Sequence, residues 1–151
     1  MIENQKVNIV TAYKDNVTQD LHNVKHMKFN LKTDTLSLYN LREEIHGLGY
    51  CPGGINLKSF HRFKLQVLGA TKIIRHLLTK IRKSQDSSIL FFSIVVVQYG
   101  FNFYLQVATL EVAIGGLTRS LSILLASTIG VNAIAPCLKN TNLTSKFLNI
   151  L

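Results

Sequence analysis

The chain has 151 residues, of which 47% are apolar and 17% charged. This length is typical of one domain with a substantial core, and the composition excludes a disordered chain. The net charge of +9 is interpreted as a solvated basic surface, since the sequence has no arginine-rich run and no zinc-finger spacing that would favour nucleic acid as a partner.

The two cysteines, Cys51 and Cys137, are too few for a disulfide framework. No histidine stands at ligand spacing from either cysteine, so no metal site is predicted. Residues 1–6 lack the apolar core of a signal peptide. We therefore expect a reducing, cytoplasmic setting.

No membrane span is predicted. The apolar run 89–97 is too short to cross a bilayer. The stretch 117–136 is apolar enough to suggest a membrane helix, but Arg119, Asn132 and its serines argue against one.

Strands and helices alternate along the chain. Apolar runs rich in β-branched residues predict strands, and apolar residues three or four apart predict helices. The predicted strands cover 7–13, 24–29, 47–51, 88–94 and 131–136, and the predicted helices cover 35–45, 64–83 and 103–126. The strand at 88–94 lacks alternation, which predicts burial on both faces, and Gly130 is expected to cap the last helix. The pattern predicts an α/β fold, a parallel sheet with helices on both faces.

Two motifs near the end of the chain resemble the short-chain dehydrogenase/reductase family. They are Gly116-Leu-Thr-Arg-Ser-Leu121 on the last predicted helix and Val131-Asn-Ala-Ile-Ala-Pro136 on the following strand. Upstream, Gly49-Tyr-Cys-Pro-Gly-Gly-Ile-Asn56 stands where the family has an Asn-Ala-Gly turn, and Val67-Leu-Gly-Ala70 resembles the start of the next helix. The resemblance implies a Rossmann-like fold and hydride transfer between NAD or NADP and the alcohol or carbonyl of a small molecule.

Both ends of the chain depart from the family pattern. No glycine precedes Gly47, so the glycine-rich loop that lets a backbone approach a pyrophosphate is missing after the strand at 7–13. We expect the first βα unit to be lost. Residues 140–151 resemble the start of the family's mobile substrate loop, so its C-terminal strand is expected to be absent too. The prediction is a single incomplete Rossmann-like domain over residues 1–151.

The resemblance implies five cofactor-contacting positions, which are Asn30, Cys51, Gly53, Pro136 and Thr141. Each has a structural alternative. Asn30 equally suits a loop, and the glycines after Pro52 equally suit an ordinary turn. Cys137 stands where the family has a glycine.

The family's catalytic tyrosine and lysine are replaced. With residues 116–121 as anchor, their positions fall at Val107 and Glu111. The family's tyrosine exchanges a proton with the substrate, and its lysine lowers the pKa of that tyrosine. Valine has no proton to give, and a glutamate raises the pKa of a nearby phenol.

Three other residues are catalytic candidates. Ser93 falls where the family has the serine that positions the substrate oxygen, and Gln66 falls where its asparagine supports a water relay. Tyr104 lies about one helical turn before Val107 and is the candidate replacement proton donor. The alternatives are a strand-end serine and a buried or interfacial tyrosine.

These observations leave three functions open. The first is an oxidoreductase of this family by descent, and the second is a non-catalytic remnant acting as a dimerisation or interaction module. The resemblance implies a homodimer through the helices near 64–83 and 103–126. The third function is binding of an anionic surface through Lys72, Arg75 and Lys83. The glycine-free N-terminal region and Glu111 favour the second function over the first.

Overall fold

The computed structural model describes residues 9–13, 24–28, 41–52, 64–93 and 105–136. The chain divides into two compact units, Met1–Leu38 and Tyr39–Leu151. A single domain over the whole chain stays a prediction.

The first unit contains two parallel strands, β1 (Ile9–Tyr13) and β2 (Val24–Lys28). Ile9 lies opposite Val24, and Tyr13 lies opposite Lys28. Both strands lie within the strands predicted at 7–13 and 24–29.

The second unit is built on a parallel sheet of three strands in the order β3-β4-β5. The strands are β3 (Gly47–Tyr50), β4 (Ser87–Phe92) and β5 (Ile129–Ile134). Helix α1 (Gly69–Lys83) leads from β3 to β4, and α2 (Leu105–Leu125) leads from β4 to β5. A π-helical turn, Lys64–Leu68, directly precedes α1. This arrangement confirms the predicted α/β class and the Rossmann-like parallel sheet.

The core lies on one face of the central strand β4. Ile89 and Phe91 are fully buried, whereas Phe92 is exposed. This alternation corrects the expected burial of the strand on both faces. Two right-handed crossovers in the same direction along a sheet place both helices on the same face. Helices on the opposite face stay a prediction.

The helices supply the other half of the core. Their inward positions are apolar and buried: Ile74, Leu77 and Ile81 on α1, and Leu110, Ile114 and Leu125 on α2. The spacing of three and four residues is the pattern from which both helices were predicted. The predicted helices at 64–83 and 103–126 are therefore confirmed over their described residues.

The segment 41–46 is not helical, which corrects the end of the helix predicted over 35–45. Lys80 of α1 explains the difference, because its ammonium donates to the carbonyl oxygens of Leu41 at 3.2 Å and Arg42 at 3.1 Å. These bonds hold the segment against the C-terminal end of α1. A contact from so far along the chain overrides the local apolar spacing.

The end of α2 also differs from its prediction. The helix stops at Leu125, and the backbone N–H of Thr128 donates to the Leu125 carbonyl oxygen at 2.9 Å. The Thr128 hydroxyl donates to the same oxygen at 3.4 Å. Gly130 is therefore not the cap, and it lies within β5 opposite Ser88.

Helix α2 is long and apolar enough to cross a membrane by length and composition alone. The window Ala108–Leu125 has a mean hydropathy of 1.3. A core helix of a soluble protein passes the same test, so this is weak evidence for a span. In the second unit α2 packs on β5, and 22% of the window is buried.

Candidate functional site

Three predicted site residues lie along the carboxyl edge of the second unit's sheet. Cys51 directly follows β3, Ser93 directly follows β4, and Pro136 comes shortly after β5. The backbone N–H of Ser93 donates to the Ile134 carbonyl oxygen at 2.8 Å, which continues the β4–β5 pairing to this edge. Open α/β sheets bind their ligands at the carboxyl ends of the strands. The structure therefore places these residues on the expected side of the sheet.

The Cys51 thiol at this edge is not activated as a nucleophile. Cys51 is exposed, and desolvation raises the pKa of its thiol. A raised pKa favours the thiol over the nucleophilic thiolate at neutral pH. Ser93 is half-buried. Within the described ranges, no group of three or more His, Cys, Asp or Glu side chains is arranged to hold a metal ion.

The Gln66 and Glu111 side chains meet inside the second unit, although they are 45 residues apart in sequence. The Gln66 amide Nε2 donates to Glu111 Oε1 at 3.5 Å. Glu111 is only 7% exposed. The contact joins the π-helical turn to α2, and it lies at the two positions where the resemblance implies an asparagine and a lysine.

This contact determines what the position can do chemically. A glutamate side chain carries no positive charge in either protonation state, whereas a lysine ammonium is a cation. The Glu111 side chain therefore does not supply the cation that the resemblance implies at this position, and it is engaged with an internal amide. Val107, at the position of the family's tyrosine, lies one turn earlier on α2.

Four predicted site residues lie outside the described residues: Asn30, Gly53, Tyr104 and Thr141. Their implied roles in cofactor binding and proton transfer stay predictions. The sheet edge described above therefore contains part of the predicted site, and the place of the candidate proton donor Tyr104 stays a prediction.

Sequence reasoning missed Tyr50. This residue ends β3 and is buried, and its phenolic hydroxyl donates to the Leu65 carbonyl oxygen in the π-helical turn. Burial raises the pKa of the phenol, so the hydroxyl stays protonated and remains a donor. The sequence signal that could have identified Tyr50 is its place at the end of a predicted strand. A tyrosine buried there needs a hydrogen-bond partner for its hydroxyl.

Comparisons with known proteins identify the fold. No protein-family model and no curated protein match the chain. Among solved structures, ligand-free aldohexose dehydrogenase from Thermoplasma acidophilum has a TM-score of 0.74 at 16% identity, covering 95% of this chain and 61% of its own. The RhlG/NADP active-site complex of Pseudomonas aeruginosa has a TM-score of 0.72 at 20% identity, and the match covers 84% of this chain and 56% of that one.

A third similar structure is an NADPH-bound short chain oxidoreductase from Pseudomonas aeruginosa PAO1, described as containing an atypical catalytic center. Its TM-score is 0.70 at 13% identity, and the match covers 84% of this chain and 56% of that one. The chain therefore has the Rossmann-like fold of short-chain dehydrogenase/reductases, and the predicted resemblance is confirmed at the level of the fold. The chain spans 56% to 61% of the length of these three structures.

Two substitutions of Glu111 test the internal contact. Glu111→Ala removes the acceptor of the Gln66 amide from a buried position, so we expect the free energy of unfolding to fall by about 1–3 kcal/mol. Glu111→Gln keeps the volume and an oxygen acceptor, so we expect a smaller loss. Urea unfolding of the two variants measures both values. Equal losses would contradict the assigned contact.

Proposed function

We propose that this chain is a short-chain dehydrogenase/reductase by descent that no longer transfers hydride and acts as a non-catalytic, self-associating module in the cytoplasm. The observation that carries the proposal is the buried Glu111 side chain, which accepts a hydrogen bond from Gln66 at the position of the family's lysine.

The chemistry explains why this observation matters. Proton transfer from a phenol near neutral pH requires a nearby cation that lowers the phenol's pKa. A glutamate at that position supplies no cation in either protonation state. Glu111 is also 7% exposed, which leaves little of it open to a nucleotide ribose. The described residues therefore do not fit the ribose contact of the family.

The alternative is an oxidoreductase that uses NAD or NADP, acts on a small-molecule alcohol or carbonyl, and has an altered proton donor such as Tyr104. Two observations favour it. Cys51, Ser93 and Pro136 still lie along the carboxyl edge of the sheet. One similar structure is described as NADPH-bound with an atypical catalytic center. We place this alternative second because Glu111 lacks the donor that the ribose needs.

Cofactor titration separates the two functions. A ligand at 100 times its dissociation constant stabilises a fold by about 2.7 kcal/mol. We expect NADH and NADPH to leave the unfolding temperature unchanged, while circular dichroism and cooperative urea unfolding establish that the chain is folded. A saturable rise with one cofactor would contradict the non-catalytic proposal. In that case, loss of turnover in Tyr104→Phe would identify the altered donor.

Self-association rests on the outward face of α2. Val112 is 54% exposed, and Ile123 is 80% exposed. Gly116 lies between them at helical spacing, and a Cβ at this glycine would meet no atom within 4 Å. A second copy of the same helix, related by a two-fold axis, would bury these apolar side chains and approach closely at the glycine.

Helix α1 is less suited to this pairing. Its outward face carries Arg75 and Arg82, and α1 contains no acidic residue. The outward face of α2 carries one cation, Arg119, beside exposed apolar side chains, whereas the outward face of α1 carries two arginines. We therefore narrow the family-implied interface from both helices to the more apolar face of α2. Lys83 is paired with Glu43 at 2.8 Å, which reduces the charge that the third function would use. We therefore do not propose binding of nucleic acid or anionic lipid.

Charge substitution on α2 tests self-association. Val112→Glu and Ile123→Glu place a carboxylate on the proposed interface, so we expect each to shift the chain from dimer to monomer in sedimentation velocity. Ile134→Glu is the control, because Ile134 is also exposed but lies on β5. A monomeric parent chain, or an equal shift in the control, would contradict the interface.

A further inference from the structure

We infer that Tyr50 is a positioning residue that holds the segment Lys64–Leu68 in π-helical register and thereby brings Gln66 to Glu111. The resemblance to the family assigns no role to Tyr50, and the proposed function does not depend on one.

The π-helical turn is held by side-chain donors at both of its ends. π-Helical geometry is rare and occurs mostly as single turns. The Tyr50 hydroxyl donates to the Leu65 carbonyl oxygen. The Thr71 hydroxyl lies within hydrogen-bond distance of the carbonyl oxygens of Val67, at 3.0 Å, and Leu68, at 2.9 Å. Two hydroxyl groups, those of Tyr50 and Thr71, thus donate to carbonyl oxygens of the turn, and the single Thr71 hydroxyl hydrogen serves the Val67 and Leu68 oxygens between them.

Tyr50 is fixed to the sheet rather than to the helix. It lies in β3 opposite Phe91 of the central strand, and its side chain is 6% exposed. Its hydroxyl therefore holds Leu65 at a set distance from the sheet edge. Thr71, in contrast, belongs to α1 and moves with it. Of the two donors, only Tyr50 ties the turn to a separate element.

The register decides whether Gln66 reaches Glu111. One residue of an α-helix corresponds to about 100° of rotation and 1.5 Å of rise. Helix α1 is anchored by the buried side chains of Ile74, Leu77 and Ile81. If the turn changed to α-helical register, Gln66 would rotate relative to this anchored helix. A contact of 3.5 Å would not survive such a rotation.

A double-mutant cycle, measured with Tyr50 present and again in the Tyr50→Phe variant, tests the inference. The midpoint of urea unfolding is measured for Gln66→Ala and Glu111→Ala, alone and together. With Tyr50 present, Gln66→Ala should shift the midpoint less in the Glu111→Ala variant than on its own, because the two side chains are coupled. In the Tyr50→Phe background, the two shifts of Gln66→Ala should be equal.

The matched control is Thr118→Val. It removes a hydroxyl that donates to the Ile114 carbonyl oxygen at 2.8 Å within α2, and it should leave the coupling intact. Coupling that persists in Tyr50→Phe would overturn the inference, and so would its loss in the control. If Tyr50→Phe fails to fold in buffer, all cycles are run in trimethylamine N-oxide, which strengthens apolar burial.

Discussion

The second unit is organised around the contact between the buried Glu111 side chain and Gln66. Glu111 points inward from α2 and is 7% exposed, and leaving such a group without hydrogen bonds is costly. Gln66 provides a donor, but it reaches Glu111 only from the turn before α1. The Gln66–Glu111 contact joins the turn before α1 to α2. The Tyr50 hydroxyl joins the same turn to the end of β3. Together the two contacts link a strand and both helices.

The proposed loss of hydride transfer is compatible with a retained fold. The sheet needs the apolar core around Ile89 and Phe91, and both are fully buried. Hydride transfer needs a cation and a proton donor at the edge of that sheet. The core and the site are set by different residues, so the architecture can persist after the donor and the cation are replaced. At residue 111, where the resemblance implies a catalytic lysine, the side chain makes a stabilising contact with Gln66.

The sequence predicted what depends on local periodicity and missed what depends on distant contacts. The strand around Ile89 and the helices on either side of it follow from apolar spacing. The loss of helix at 41–46 requires Lys80, which is far along the chain. Gln66 and Glu111 were each assigned to a family position, but their contact spans 45 residues. The π-helical turn has one more residue per hydrogen-bonded turn than an α-helix. The spacing of apolar residues does not predict this extra residue.

The most direct test of the account is the urea unfolding midpoint of Glu111→Lys, measured with and without NADPH. This substitution restores the family's residue type at the position. We predict a lower urea midpoint than that of the parent chain, because a buried ammonium replaces the acceptor of the Gln66 amide. We predict that NADPH does not raise the midpoint of the variant. A variant as stable as the parent chain that NADPH stabilises further would contradict it. That result would mean that the position still belongs to a nucleotide site.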